Sequence, residues 1–313
     1  MPTGSPPVLA AGVGVDGCRG GWVAAVVIDA RLVTMRCATS FMALFDEVEA
    51  LLAARAGATL RPDAGAHVSA PWLIDMPMGL TWDGDRGLEA MLRRELPTGR
   101  KSSVFPVPAR AALAAHDYAD ACARNQQACG RKLSRQTWNI VTKIRELDDC
   151  LRKQVHVRER CIESHPEACF HALSADAALG RKRMSEGRSA RLALLARLGL
   201  RDAEHWKTLL AAAAPPAGAI SGDEGMPAWR EPGASSPTGT RRAAATSRAT
   251  GISRAEILRV APDDALDAIC LAFVASRPAC WRRLQDPLRS HDELGLPLQL
   301  VLPAAPGVLP PIV

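Results

Sequence analysis

Four aspartates, Asp16, Asp75, Asp264 and Asp267, are spread over most of a 313-residue chain, yet each sits where an apolar run stops or is interrupted. Asp16 follows Val13-Gly14-Val15, and Asp75 follows Pro71-Trp72-Leu73-Ile74. Asp267 is the one charge within the eleven-residue run 265–275, where an unpaired carboxylate costs several kcal/mol unless a cation or metal meets it. Asp264 lies three residues earlier, hence on the same helical face. Carboxylates brought together repel one another, so a cation must hold them. Hard oxygen ligands without Cys or His point to Mg²⁺ or Mn²⁺ rather than zinc. Two such ions about 4 Å apart activate a water and stabilise the leaving oxygen of a phosphodiester. Each acid also has an ordinary use. Asp16-Gly17 suits a hairpin turn, Asp264 in a first helical turn meets the helix dipole, and Asp267 can pair with a lysine or arginine.

Glu163-Ser164-His165-Pro166-Glu167 offers a further corner. Glu163 and Glu167 are candidates to assist the aspartates, although Glu167 after a proline also suits the start of a helix. His165 is a candidate proton carrier, with a structural role as its alternative. Arg100, Lys101, Arg135 and Lys143 are candidates for phosphate contacts, and Trp138 for base stacking. Surface charge and core packing are the competing explanations for these five. The run Gly99-Arg100-Lys101-Ser102-Ser103 resembles the tail of a phosphate-binding P-loop, but the full pattern is absent and a nucleotide P-loop is rejected.

The elements that must carry these residues follow from periodicity. Residues 8–15, 22–28 and 31–38 are rich in β-formers and predict a three-strand meander. Asp16-Gly17 and Gly20-Gly21 supply turn chemistry for the first connection, and Asp29-Ala30 closes the second hairpin. Ser40 caps an amphipathic helix over 41–56, built on Phe41, Leu44, Phe45, Val48, Leu51 and Leu52. Residues 68–75 form the next strand. Reached through a helix, it is expected parallel to the first, which sets Asp16 and Asp75 side by side. Helices are expected over 86–95, 109–125 and 135–153, a strand over 155–163, and helices over 186–199 and 202–213. Pro262 opens a helix running to about 276, and 298–302 forms an edge strand. The organisation expected is one domain over 8–313, with a helical insertion at 83–153 and a flexible Pro/Gly/Ser/Arg-rich insertion at 215–251.

Composition sets the outer bounds. With 48% apolar residues the chain can bury a large core, and a net charge of +6 permits an anionic partner such as nucleic acid without demanding one. Nine scattered cysteines with no Cys-x-x-Cys argue against a disulfide framework or zinc site and for the reducing cytoplasm. The opening residues lack the charged segment and apolar core of a signal peptide, and no apolar run is long enough for a membrane span.

The order of meander, helix, parallel strand and late acidic helix matches the RNase H-like fold, an α/β architecture with a mixed sheet flanked by helices. More specifically, the chain resembles a family of largely uncharacterised prokaryotic proteins described as predicted RNase H-like nucleases. The residues carrying the resemblance are Val13-Gly14-Val15-Asp16-Gly17-Cys18-Arg19-Gly20-Gly21-Trp22, Ile74-Asp75-Met76-Pro77-Met78-Gly79-Leu80, Arg100-Lys101-Ser102-Ser103-Val104-Phe105-Pro106, Ser134-Arg135-Gln136-Thr137-Trp138-Asn139-Ile140, Glu163-Ser164-His165-Pro166-Glu167 and Asp264-Ala265-Leu266-Asp267-Ala268. The last also looks like the Asp-x-x-Asp-Ala of RuvC-type junction resolvases. The resemblance implies a metal-dependent nuclease acting on DNA or RNA, with Asp16, Asp75, Asp264 and Asp267 holding Mg²⁺ or Mn²⁺. Fold alone does not fix function. The alternatives are an ATP-dependent phosphotransferase of the same fold, disfavoured because the chain lacks a second copy of the fold to enclose ATP, and a non-catalytic nucleic-acid-binding protein.

Overall fold

A computed structural model describes residues 10–59, 70–84, 86–175, 178–213 and 260–304. The meander consists of β1 (Ala11–Cys18), β2 (Gly21–Ile28) and β3 (Arg31–Ala38). Asp29 and Ala30 join β2 to β3 with φ of 48° and 61°, the paired left-handed residues of a tight hairpin. The following elements are α1 (Phe41–Thr59), β4 (Trp72–Ile74), α2 (Leu88–Arg94), α3 (Tyr118–Cys129), α4 (Arg135–Lys153), α5 (Val155–Arg158), β5 (Cys161–Ser164) and α6 (Pro166–Ser174). They are followed by α7 (Ser185–Arg197), α8 (Ala203–Ala213), α9 (Pro262–Ala275), β6 (Trp281–Gln285) and β7 (Gln299–Pro303).

The seven strands form one mixed sheet in the order β3-β2-β1-β4-β5-β7-β6. The β1/β4, β4/β5 and β5/β7 pairs are parallel, and the meander and the β6/β7 pair are antiparallel. This is the α/β class expected, and its meander-plus-parallel arrangement is consistent with an RNase H-like sheet. Each sheet face carries its own core. On one face Val13, Val15, Trp22, Trp72 and Ile74 pack with α1 and α4. On the other Val23, Ala25, Val27 and Leu73 pack with α6, α7 and α9. No helix among the described residues is long and apolar enough to cross a membrane.

The structure corrects several boundaries. β1 continues through Asp16-Gly17 to Cys18, so Asp16 pairs with Val23 inside the ladder and the turn is Arg19-Gly20. Residues 155–163 are not one strand. Val155 is exposed and 156–160 carry four charges or imidazoles, so this part coils as α5 and only Cys161–Ser164 enters the sheet. Residues 109–125 are not one helix. A 3-10 turn at Arg110–Ala114 ends before Asp117, whose side chain accepts from the Asp120 N–H at 2.8 Å and starts α3 afresh. β7 is an interior strand, with β6 outside it as the edge. The expected insertion at 215–251 lies outside the described residues.

Candidate metal centre

Strand alternation decides where the acids point. Successive side chains of a strand face opposite sides. Val13 and Val15 enter the core with α1, so Gly12, Gly14 and Asp16 face α9. In β4, Trp72 and Ile74 join that same core while Leu73 joins the other, and Asp75 continues the Leu73 side. The Asp75 N–H donates to the Val15 carbonyl at 2.9 Å, setting Asp75 beside Asp16 at the end of the parallel pair. α9 lies directly on β1. A Cβ on Gly12 would stand 2.1 Å from the Ser276 nitrogen, and one on Gly14 would stand 2.1 Å from the Ala268 oxygen. Those two glycines therefore let a helix backbone rest on a strand backbone, and that approach delivers Asp267 to the sheet acids.

Carboxylate oxygens of Asp16, Asp75 and Asp267 all lie within 4.8 Å of one another. Asp16 and Asp267 are buried and Asp75 is half-buried. Asp264 and Asp263 line the same cavity, about 420 Å³ in volume, with Lys143, Lys182 and Arg183. Burial raises the Asp16 pKa far above the carboxylate range, and Asp75, Asp267 and Asp264 raise it further. Burial carries Asp75 to about 7, with Lys182 opposing and Glu163 adding. Asp264 is pushed to about 7 by burial and then by Asp263 and Asp267, and Asp267 to about 6 by burial against the pull of Lys182.

Lys182 is the lysine partner that the position of Asp267 admitted. Its ammonium bonds Asp267 Oδ2, while Asp267 Oδ1 is buried with no hydrogen-bond partner among the described residues. Burial works against that ammonium, but Asp267, Asp16 and Asp75 outweigh it and raise its pKa above the usual lysine value. Lys182 is the ammonium that opposes the upward shifts of Asp16, Asp75, Asp264 and Asp267. The donor set is all carboxylate oxygen, which fits Mg²⁺ or Mn²⁺ and not a soft-ligand metal.

Comparison with known protein families finds a match over residues 14–283 to the model described as "Protein of unknown function (DUF429)". The chain belongs to the DUF429 family. No curated protein and no solved structure matches it.

The other candidates divide. In this DUF429 chain Glu163 lines the cavity, but its oxygens are engaged. Oε2 accepts from the Met78 N–H and from Arg86 at 2.7 Å each, and Oε1 accepts from Arg86 at 2.8 Å. Arg86 also donates to the Met78 and Gly79 carbonyls at 2.8 and 3.1 Å, so Glu163 fixes the loop that follows Asp75. Glu167 is not brought to the cluster. It binds Arg191 through both oxygens at 3.0 Å and Arg100 at 2.7 Å. His165 lines the cavity but caps α6, its Nδ1 accepting the Ala168 N–H at 3.2 Å, and burial lowers its pKa. Its Nε2 stands 3.5 Å from the Ser103 carbonyl, so the ring has the structural role named as the alternative to proton carriage.

Among the basic and aromatic candidates, Lys143 reaches the cavity, with Nζ donating to the Gly21 carbonyl at 2.6 Å. Arg100, Lys101, Arg135 and Trp138 lie off the cavity lining. Arg135 stacks on the Tyr118 ring at 3.8 Å, and Trp138 packs on that same ring at 6.1 Å. Lys182 and Arg183 were not anticipated. They stand in Gly180-Arg181-Lys182-Arg183, a charge run that reads from sequence as a solvated loop.

Proposed function

We propose that the chain is a divalent-metal-dependent nuclease that hydrolyses nucleic-acid phosphodiester bonds, as its resemblance to predicted RNase H-like nucleases implies. One observation carries this reading. Two buried acids, from β1 and α9, and a half-buried one at the end of β4 present oxygens within 4.8 Å of one another, and a buried oxygen of Asp267 has no partner among the described residues. Once ionised, the four aspartates carry more negative charge than Lys182 offsets, and a divalent ion would neutralise the excess.

Asp16, Asp75 and Asp267 would hold Mg²⁺ or Mn²⁺, with Asp264 beside them. A bound ion of this kind acidifies its water and polarises a phosphoryl oxygen. Lys143, Lys182 and Arg183 supply positive charge along the cavity for an anionic backbone. Phe105, Val107 and Ile140 form an apolar wall on which a base can rest. Glu163, through Arg86, keeps the loop after Asp75 in place.

The test is Mg²⁺- or Mn²⁺-dependent cleavage of single-stranded, duplex, hybrid and branched substrates by the wild type, Asp16→Asn and Asp267→Asn. Cleavage by the wild type and loss of two or more orders of magnitude in both variants is expected. Metal-dependent cleavage equal in all three proteins would overturn the reading. ATP-dependent transfer without cleavage would favour the phosphotransferase, and binding of nucleic acid without turnover would favour the non-catalytic protein.

A further inference from the structure

The cation count of the acidic centre follows from what already stands in it. We propose that Lys182 serves as a built-in cation of the centre, so that the centre binds a single divalent ion beside the ammonium instead of a pair. This inference rests on the metal reading above and sharpens it.

Lys182 bonds an Asp267 oxygen and lines the same cavity as Asp16 and Asp75. It therefore sits among the carboxylates that a second ion would need to share. Carboxylate oxygens on one Mg²⁺ lie at about 2.0–2.1 Å from it, so three of them stand no more than about 4.2 Å apart. The 4.8 Å spread of Asp16, Asp75 and Asp267 closes onto one such ion with a small adjustment. Of the other acids on the cavity wall, Glu163 has both oxygens committed to Arg86 and Met78, Glu89 bonds Arg86, and Asp263 and Asp264 stand in the first turn of α9.

Lys182 is also held in place, unlike a free surface lysine. Its loop is pinned by Arg191, whose side chain is fully buried and donates to the carbonyls of Leu179, Gly180 and Gly187 at 3.0–3.2 Å. Arg100 donates to the Gly180 carbonyl from outside. Glu167 binds both of these arginines, which accounts for a carboxylate near the centre that does not enter it. Gly187 lets the loop return against α7, since a Cβ there would meet the Arg181 oxygen at 2.0 Å. The loop thus fixes the backbone from which Lys182 reaches the buried Asp267 carboxylate.

The test counts Mn²⁺ bound to the full-length chain at pH 8, by electron paramagnetic resonance of the free ion and by metal analysis after dialysis. The wild type is expected to bind one ion per chain, Lys182→Met two, and Lys182→Arg one because it keeps the charge. Circular dichroism establishes that each variant is folded. Two ions on the wild type would overturn the inference while leaving the metal reading standing, and this arm needs no variant. A folded Lys182→Met that still binds one ion would also overturn it. A wild type that binds none would overturn the metal reading and the inference together.

Discussion

Two groups of acids lie on the α4 side and the α9 side of the sheet, and their counter-charges differ. In the first, Asp148 and Asp292 meet Arg110 at 2.8 and 2.5 Å, and Arg152 adds a bond to Asp148 at 2.8 Å. Asp292 also accepts from the N–H groups of Leu80, Leu294 and Leu296 at 2.9 Å each, clasping the loop after β4 to the C-terminal strands. Two carboxylates thus meet two guanidiniums. In the second, Asp16, Asp75, Asp264 and Asp267 share Lys182. An unpartnered buried oxygen occurs in both, on Asp148 and on Asp267, so it does not distinguish them by itself. The charge balance does. The first cluster supplies its own cations, whereas the α9 cluster, the proposed metal centre, bonds one ammonium.

Removing the balance of the first group has the largest effect. Arg110→Met leaves Asp148 and Asp292 buried without their shared partner and should destabilise the fold by about 3–5 kcal/mol in urea denaturation. Mn²⁺ binding by the fraction still folded should be unchanged. Next is Gly14→Ala, which drives a methyl into the α9 backbone at Ala268 and Ala272. It should cost about 1–3 kcal/mol and weaken Mn²⁺ binding as well, because it shifts Asp267 away from Asp16.

The second group should respond in the opposite sense when an acid is removed. Without divalent ions at pH 8, Asp16→Asn should raise stability by about 0.5–2 kcal/mol, since it relieves repulsion among the clustered carboxylates. The pH dependence follows the same logic. Asp75 and Asp264 titrate near 7 and Asp267 near 6 in the folded chain, against about 3.8 for an unperturbed aspartate. Raised folded values mean that the native state holds the extra protons between these limits. The contribution of these groups is therefore fully present below about pH 4 and lost as pH rises through 6–7. Thermal melts of the metal-free protein should show this fall. Saturating Mn²⁺ should reverse it, and the gain from Asp16→Asn should shrink at pH 5. The smallest effect belongs to Arg135→Ala. Loss of its stacking on Tyr118 should cost less than about 1 kcal/mol and leave Mn²⁺ binding unaltered.

The acids of the second group were legible because each breaks a pattern. Alternation in β1 and β4 and the lone charge in α9 are local signals, and one parallel pairing converts them into a cluster. The meander was legible for the same reason, down to the Asp29-Ala30 hairpin. Lys182 was not, because its meaning depends on a loop held by Arg191, Arg100 and Glu167, residues with no shared periodicity. The strand expected over 155–163 failed where Val155 and Val157 imitate alternation among charged neighbours that no sheet face would bury. β6 escaped notice because Trp281-Arg282-Arg283-Leu284-Gln285 is a partly exposed edge strand with little apolar content.

The most direct measurement is calorimetric titration of Mn²⁺ into the wild type and into Asp267→Asn at pH 8, with folding of both checked beforehand. Saturable binding to the wild type and its loss in Asp267→Asn is the expected result. Equal binding by the two proteins, or none by the wild type, would contradict the assignment of Asp16, Asp75 and Asp267 as a cation site.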